Sequence, residues 1–355
     1  MCSSDLADPI RSPARAQDLI LRPRVRGYRA GDLERRYTRL AVEEDFFVNY
    51  GFVSRGLHAL MHPRERGVSR PAAQRRRTAE LLAFVREHGT VHPRDVDRHF
   101  AHGRVTNYWG GTSSATTHLL DDMHYRGLLR IAGRENGIRL YAAREPHVQT
   151  QPRAERARCS PDRAERQREA QEDSDALVDA IVHLYAPLPQ ATLTWLVARL
   201  RYAAPQWHAR LPATLRRAKE RLGQATIDGV RWYWPANESA SGGRGRPVAG
   251  VRLLAPFDPL VWDRRRFEQF WGWAYRFEAY TPKAKRKLGY YALPLLWHED
   301  IIGWANLSVQ DDALVPALGF VRGMPDDPAF ARALDEELDA VRVFLGLAHH
   351  HTPRT

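Results

Sequence analysis

The sequence predicts a mainly α protein with some β: tandem winged-helix modules followed by a C-terminal β-barrel-like domain. Two observations carry this. A run of three helices closed by a β-hairpin occurs twice, at about 70–145 and 176–234, and a later stretch, 251–347, alternates apolar strands with helices. In such a three-helix module the third helix is the one that enters a DNA groove.

Taken in order, residues 1–69 read as the remainder of a helical domain. Asp8-Pro9 has the form of a helix N-cap with proline in the first turn. Ala14 to Leu21 continues with helical spacing, and Arg11, Arg15, Arg22, Arg24, Arg26 and Arg29 make this the most basic part of the chain. Asp32 and Glu34 begin a short helix. Phe46, Phe47, Tyr50 and Phe52, then Leu57, Leu60 and Met61, give an aromatic and aliphatic block of the kind that builds cores more often than stacking platforms.

Residues 70–148 form the first complete module. Thr78 to Val85 is amphipathic and stops at Gly89, Pro93 to Phe100 is a second helix, and Thr112 to Arg126 a third, stopped by Gly127. Leu128–Ile131 and Ile138–Tyr141 flank Asn136-Gly137, a strong hairpin signal. Trp109, with Gly110 and Gly111 before the third helix, suits either a wedge or a cap. Residues 149–175 alternate charges with almost no large apolar side chain, as expected of a linker or at most a solvated helix.

The second module, 176–238, repeats the order. Its helices are Ala176 to Tyr185, Leu193 to Leu200 and Ala213 to Leu222, and its hairpin turns at Asp228-Gly229. Residues 239–250 are a Gly-rich joint; no strand precedes the glycines and no Lys-Ser/Thr pair follows, so a phosphate loop is excluded. In 251–347 strands are expected at Val251–Leu254, Tyr290–Leu296 and Ile301–Val309, with helices at Arg264–Tyr275 and Asp327–Phe344. That alternation suits a small barrel, or a sheet capped by its last helix. Asp258 and Asp263, flanking Trp262, read as turn and helix-start residues, since a metal pair would need further ligands at defined spacing.

Composition narrows the function. A formal charge of +12 and pI near 10.0 imply an anionic partner, and 43% hydrophobic residues give enough material for more than one core. Cys2 and Cys159 stand apart in hydrophilic surroundings, which suits a reducing cytoplasm and gives no zinc spacing. No apolar run approaches the roughly 20 residues needed to span a bilayer. The histidines at 349–351 read as a frayed end rather than a metal site.

Of the 54 Lys plus Arg only four are Lys, at 219, 283, 285 and 287, so three fall within five residues. At period two, Lys283, Lys285 and Lys287 would point to one side of an extended segment, where flexible point charges suit phosphates. Arg286 lies among them, and Tyr280, Tyr290 and Tyr291 flank them, as in a nucleic-acid groove. A solvated basic edge that blocks strand aggregation is the competing reading.

The run Pro256-Phe257-Asp258-Pro259-Leu260-Val261-Trp262-Asp263-Arg264, then Tyr275 to Pro282, Lys285-Arg286, Gly289-Tyr290 and Leu293-Pro294-Leu295-Leu296, resembles the C-terminal half of the YcaQ/AlkZ-type crosslink-repair DNA glycosylases. The likeness is strongest from about Val251 to Leu345. It implies a row of winged helices with a small β-barrel, and hydrolysis of the N-glycosidic bond of alkylated or crosslinked purines of the N7-alkylguanine type. Duplex DNA would be the partner of a monomeric cytoplasmic, nucleoid-associated enzyme that needs no metal or other cofactor.

These glycosylases place a carboxylate in a Gln-x-Asp or Gln-x-Gln motif with an arginine seven residues further on. Leu6-Ala7-Asp8 lies at the motif and Arg15 matches the arginine, so the resemblance makes Asp8 the catalytic carboxylate and adds Arg11 and Arg15 to Lys283, Lys285, Arg286, Lys287 and Tyr290 as DNA-binding candidates. Leu6 departs from the motif's glutamine, and Phe46, Asn49 and Tyr50 depart from a segment rich in Trp, His and Glu. A helical segment ahead of the motif is also missing, which leads us to expect a truncated or mis-joined form of a longer protein. A non-catalytic winged-helix DNA-binding protein or regulator is the alternative reading.

Overall fold

The computed structural model describes residues 10–64, 70–100, 103–106, 112–135, 137–144, 162–239 and 250–347. Asp8 and Leu6, Trp109 to Gly111, Asn136 and most of the Gly-rich joint lie outside these. The chain divides into two compact units: residues 36–235, and residues 10–35 taken with 236–347. None of the described helices is long and apolar enough to cross a membrane.

The chain starts with α1 (Ala16–Leu21) and α2 (Asp32–Arg36), both counted mainly with the second unit. The first unit then opens on a hairpin, β1 (Val42–Phe46) and β2 (Tyr50–Ser54), paired from Val42↔Ser54 to Phe46↔Tyr50. Ser54 caps the next helix, α3 (Arg55–Met61), by accepting from Leu57 N–H. The aromatic block is core: Phe47 and Phe52 are buried together with Val48, Val53, Leu57 and Met61.

Two runs of like order follow. In the first, α4 (Ala72–His88), β3 (Thr90–Val91), α5 (Pro93–Phe100), the strand pair β4 (Arg104–Thr106) and β5 (Thr112–Ser114), and α6 (Ala115–Tyr125) lead into the hairpin β6 (Leu129–Glu135) and β7 (Ile138–Ala143). In the second, α7 (Arg163–Tyr185), β8 (Leu188–Pro189), α8 (Gln190–Ala203) and α9 (Leu211–Arg221) lead into β9 (Gly223–Ile227) and β10 (Val230–Trp234). In each, the short strand after the first helix adds to the hairpin, giving sheets ordered β3-β7-β6 and β8-β10-β9. One buried residue per helical turn holds each run together: Leu81, Val85, Val96, Leu120 and Met123 in the first, and Leu177, Ile181, Leu196, Leu200 and Ala218 in the second.

Two expectations are corrected here. The charged stretch, read as a linker or at most a solvated helix, is helical from Arg163 onward, where Asp162 caps it by accepting from Ala164 N–H, but it is not wholly solvated, since Ala170, Asp173 and Ser174 are buried. The third helix of the first run begins at Ala115 rather than Thr112. Residues 112–114 pair with 104–106 instead, and Ser114 Oγ caps the helix by accepting from Thr116 and Thr117 N–H.

The second unit carries β11 (Val251–Leu253), α10 (Arg264–Trp271), β12 (Leu293–Trp297), β13 (Asp300–Gln310), β14 (Ala313–Phe320) and α11 (Pro328–Leu345). The expected barrel is an open four-stranded antiparallel sheet in the order β11-β12-β13-β14. A strand of three residues at one edge and a proline-bearing strand at the other leave too little sheet to close on itself. Phe330, Leu334, Leu338, Val341 and Phe344 of α11 pack with Leu19 and Ile20 of α1 and with Val251, Leu293, Leu295, Ala305 and Leu307 of the sheet. β12 starts at Leu293, not Tyr290, and α10 stops at Trp271 because Gly272 takes the left-handed conformation.

Candidate functional site

The chain leaves Asp8 and enters the described structure just before α1. Arg15 is the N-cap residue of α1, and its guanidinium lies 2.9 Å from Glu34 Oε2 with the Arg15 side chain only 12% exposed. Arg11 is exposed. One turn into α1, buried Asp18 accepts from Tyr28 Oη at 2.6 Å, and that hydroxyl in turn accepts from Leu33 N–H at 3.0 Å. Burial raises the Asp18 carboxyl above its ordinary range, and the bonds from Tyr28 and Gly31 N–H and the charge of Arg15 offset only part of this.

Three residues hold this segment in place. Arg22 spans both oxygens of Glu337 and donates to Leu253 O at 3.2 Å, while Leu253 N–H donates to the same carboxylate at 2.6 Å. Arg24 grips Asp258 in a two-pronged pair at 2.7 and 2.9 Å, with Asp258 fully buried. Asp258 also accepts from Leu260 N–H at 3.0 Å, so the turn expected at Asp258-Pro259 is present. The same side chain is an ion-pair anchor for residue 24 as well, which the turn reading missed. Asp263 starts a helix as expected, accepting from Arg265 and Arg266 N–H.

The lysine run does not adopt the extended, period-two form. Pro282 leads into a single 3-10 turn at Lys283–Lys285, so the three side chains fan out rather than line one side. Lys283, Lys285 and Lys287 are exposed, with no side-chain partner among the described residues. The backbone beneath them is fixed: buried Glu278 accepts from Lys287 and Leu288 N–H at 2.8 and 2.7 Å. Asn306 donates to Leu288 O at 2.7 Å and accepts from Tyr291 N–H at 3.2 Å. Gly289, at φ +117°, lies so close to the Asn306 amide that a Cβ would collide with it. Arg286 donates to Thr281 O at 2.7 Å and lies 4.9 Å over the ring of Tyr290, which is 42% exposed. Tyr280 is 80% exposed.

Lys285 also lines an open cleft of about 690 Å³ with Arg264, Arg265, Glu268, Tyr275, Arg276 and Phe277. Arg264 is engaged there, stacked at 4.4 Å on Tyr275 and bonded to Val261 O and Pro256 O. Arg265 and Arg276 are exposed. Lys283, Lys285, Arg286, Lys287 and Tyr290 therefore come together on one loop beside this cleft. Sequence reasoning passed over Arg265 and Arg276 because arginine is too common in this chain to mark a site.

The first unit holds a second concentration of charge that the sequence reading also missed. Three consecutive acids of β1 are buried. Glu44 pairs with Arg134 and, at 3.4 Å, with Arg139, while Glu43 lies 3.3 Å from Arg144. Asp45 Oδ1 takes Arg64 Nη1 at 2.8 Å, and Asp45 Oδ2 takes His62 Nε2 at 2.7 Å with His58 Nε2 at 3.2 Å. Burial alone would raise the Asp45 carboxyl, but Arg64 and the two imidazoles hold it well below the carboxylate range. Burial pushes His58 down to about 3 and lowers His62 as well, so both rings are neutral. Asp45, His58 and His62 are metal-ligand types within reach of one another. Positive charge is already supplied there, by Arg64 on Asp45 and by Arg144 at 3.1 Å from His58 Nε2. The cluster is a structural ion-pair network.

Unpaired cations and exposed rings on a fixed loop are features that suit contact with nucleic acid. The chain belongs to the AlkZ-like DNA glycosylase family, whose sequence profile matches residues 6–344. Among solved structures it is similar to Streptomyces sahachiroi DNA glycosylase AlkZ, with a TM-score of 0.54 and 14% identity over 94% of this chain and 87% of that one.

Proposed function

We propose that this glycosylase hydrolyses the N-glycosidic bond of N7-alkylated or crosslinked purines in duplex DNA, with Asp8 as the catalytic carboxylate. The observation that carries the reading is the loop of residues 280–290, where cations without partners and two exposed tyrosines ride on a backbone fixed by Glu278 and Asn306. Each run of three helices and a hairpin acts as a winged helix in this reading, within the boundaries 70–148 and 176–238 inferred from the sequence.

An N7-alkylguanine already carries positive charge, so cleavage of C1′–N9 returns the bonding pair to a purine that leaves neutral and needs little acid assistance. The developing charge sits on the sugar. A carboxylate at Asp8 stabilises that oxocarbenium-like centre and orients a water, whose oxygen bonds to C1′ while its proton passes to the carboxylate. Arg15, tied to Glu34, fixes the start of α1, and Arg11 supplies a contact to the DNA backbone in this reading. Leu6 cannot hydrogen-bond as a glutamine would, so base release by this chain is slow and Leu6→Gln raises it.

The test is incubation with a duplex bearing a single N7-methylguanine, followed by detection of abasic sites. Abasic sites are expected, in greater yield with the Leu6→Gln chain. Tight duplex binding with no abasic product from either chain would favour the non-catalytic regulator.

A further inference from the structure

We propose a second duplex-binding surface in the first unit, formed by α9 and the β9–β10 hairpin, with Arg216, Lys219 and Arg231 as its phosphate contacts. The inference rests on the reading of duplex DNA as the substrate.

α9 has two differently used sides. Leu211, Thr214 and Ala218 are buried, and Arg217 and Arg221 tie the helix to α7 through Asp175 at 2.7 Å and through Asp179. That fixes the rotation of the helix. Pro212, Arg216, Lys219 and Glu220 are left on the opposite side, at positions i, i+4, i+7 and i+8. They line an open cleft of about 480 Å³ whose far wall is the hairpin, through Gln224, Arg231 and Tyr233. In β10, Arg231 and Tyr233 share a face because they are two apart, and their partners Thr226 and Gln224 do the same in β9.

The charge on this surface is unbalanced and free. Arg216 and Arg231 are exposed, Lys219 is half-buried, and none of the three has a side-chain partner among the described residues. Glu220 is the only acid lining the cleft. Arg217 and Arg221, on the other side of the same helix, are spent on Asp175 and Asp179, so three unspent cations on this side call for an outside anion. Lys219 is also the only lysine away from residues 283–287. A bare helix side flanked by a projecting hairpin, with Ile227 57% exposed beside its turn, fits a duplex better than a small anion. An α-helix of roughly 10–12 Å diameter enters a major groove about 12 Å wide while the hairpin follows the neighbouring backbone.

The experiment compares the chain with an R216A/K219A/R231A variant by fluorescence anisotropy on undamaged duplexes of several sequences, between about 50 and 200 mM salt. The three side chains make no bonds to other described residues, and an unchanged circular dichroism melt confirms that the variant is folded. Three lost contacts should flatten the slope of log K against log salt by about 2.7. The fall in affinity over that fourfold range of salt should then shrink by roughly 40-fold, alike for all sequences. Replacing Arg216 and Arg231 with Lys should keep most of the slope. An unchanged slope and affinity, in a chain whose duplex binding does respond to changing Lys283, Lys285 and Lys287, would overturn this surface and leave the function reading standing. Equal weakening on a single strand of the same length would overturn the duplex as its occupant. Failure of the unaltered chain to bind duplex at all would overturn the function reading itself.

Discussion

Arg64→Met should be a severe single change for the first unit. The Arg64 side chain is fully buried. It donates to Asp45 Oδ1 at 2.8 Å, Tyr125 O at 2.8 Å, Phe46 O at 2.7 Å and Ala203 O at 2.5 Å, so one guanidinium joins β1, α6 and the end of α8. Methionine fills much of the volume and satisfies none of these acceptors. Removing one partner of a buried ion pair costs about 3–5 kcal/mol, and each orphaned carbonyl adds of order 1 kcal/mol where water cannot reach it. Against a total stability of roughly 5–15 kcal/mol, a loss of about 6–8 kcal/mol should shift the urea midpoint of the first unit by a large part of its value. A second change, Asp45→Leu, should restore part of the loss, because the stranded charge goes with it. An Arg64→Met protein within about 1 kcal/mol of its parent would refute the claim that this network holds the unit together.

Other outcomes follow from the same contacts. His58 has a folded pKa of about 3 against 6.5 unfolded, so between those values the unfolded chain binds the extra proton and stability rises with pH. Taking the protein from pH 7 to pH 5 should therefore cost about 2 kcal/mol from His58 alone, read from urea titrations, with Asp45 adding its loss only below its unfolded value of 3.8. His58→Gln should flatten that dependence. Arg24→Ala leaves Asp258 buried and unpaired, and since Arg24 itself is a third exposed the expected loss is about 2 kcal/mol, visible as a lower melting temperature of the second unit. Changing Lys283, Lys285 and Lys287 to Ala should weaken duplex binding alike at all sequences and flatten its salt slope by up to about 2.7, measured by anisotropy; an unchanged slope would make the run a solvated edge.

Much of the fold was legible because local signals agreed with it. Asp228-Gly229 places the second hairpin, with Val230↔Ile227 closing the turn. Gly89 ends a helix where its spacing said it would, and Pro93 to Phe100 is a helix over its whole expected length. β14 escaped notice because Pro316 argues against a strand. It is tolerated there because β14 is a sheet edge, where the missing N–H faces no neighbouring strand. The barrel expectation failed for a related reason, since alternating strands and helices specify neighbours but not closure.

The site was legible in its charges and not in their geometry. Spacing at period two suggested a strand through 283–287, yet Pro282 and the pull of Glu278 on the amides of 287 and 288 turn the chain instead. Asp258 looked like a turn residue and is one, but its second role depends on Arg24, which is 234 residues away. No local pattern carries that pairing. The buried acids Glu43 to Asp45 drew no reading of their own from the sequence, because nothing in their neighbourhood announces Arg134, Arg139 and Arg144 as partners.

The central claim is that Asp8 stabilises the charge that develops as the base departs. Its most direct measurement is the single-turnover rate of base release from an N7-methylguanine duplex by the Leu6→Gln chain, with and without Asp8→Asn. The account predicts that Asp8→Asn lowers the rate by about a hundredfold or more while the duplex dissociation constant stays within about twofold, because the lost interaction is made only in the transition state. Equal rates in the two proteins would contradict it and put the catalytic group elsewhere in the chain.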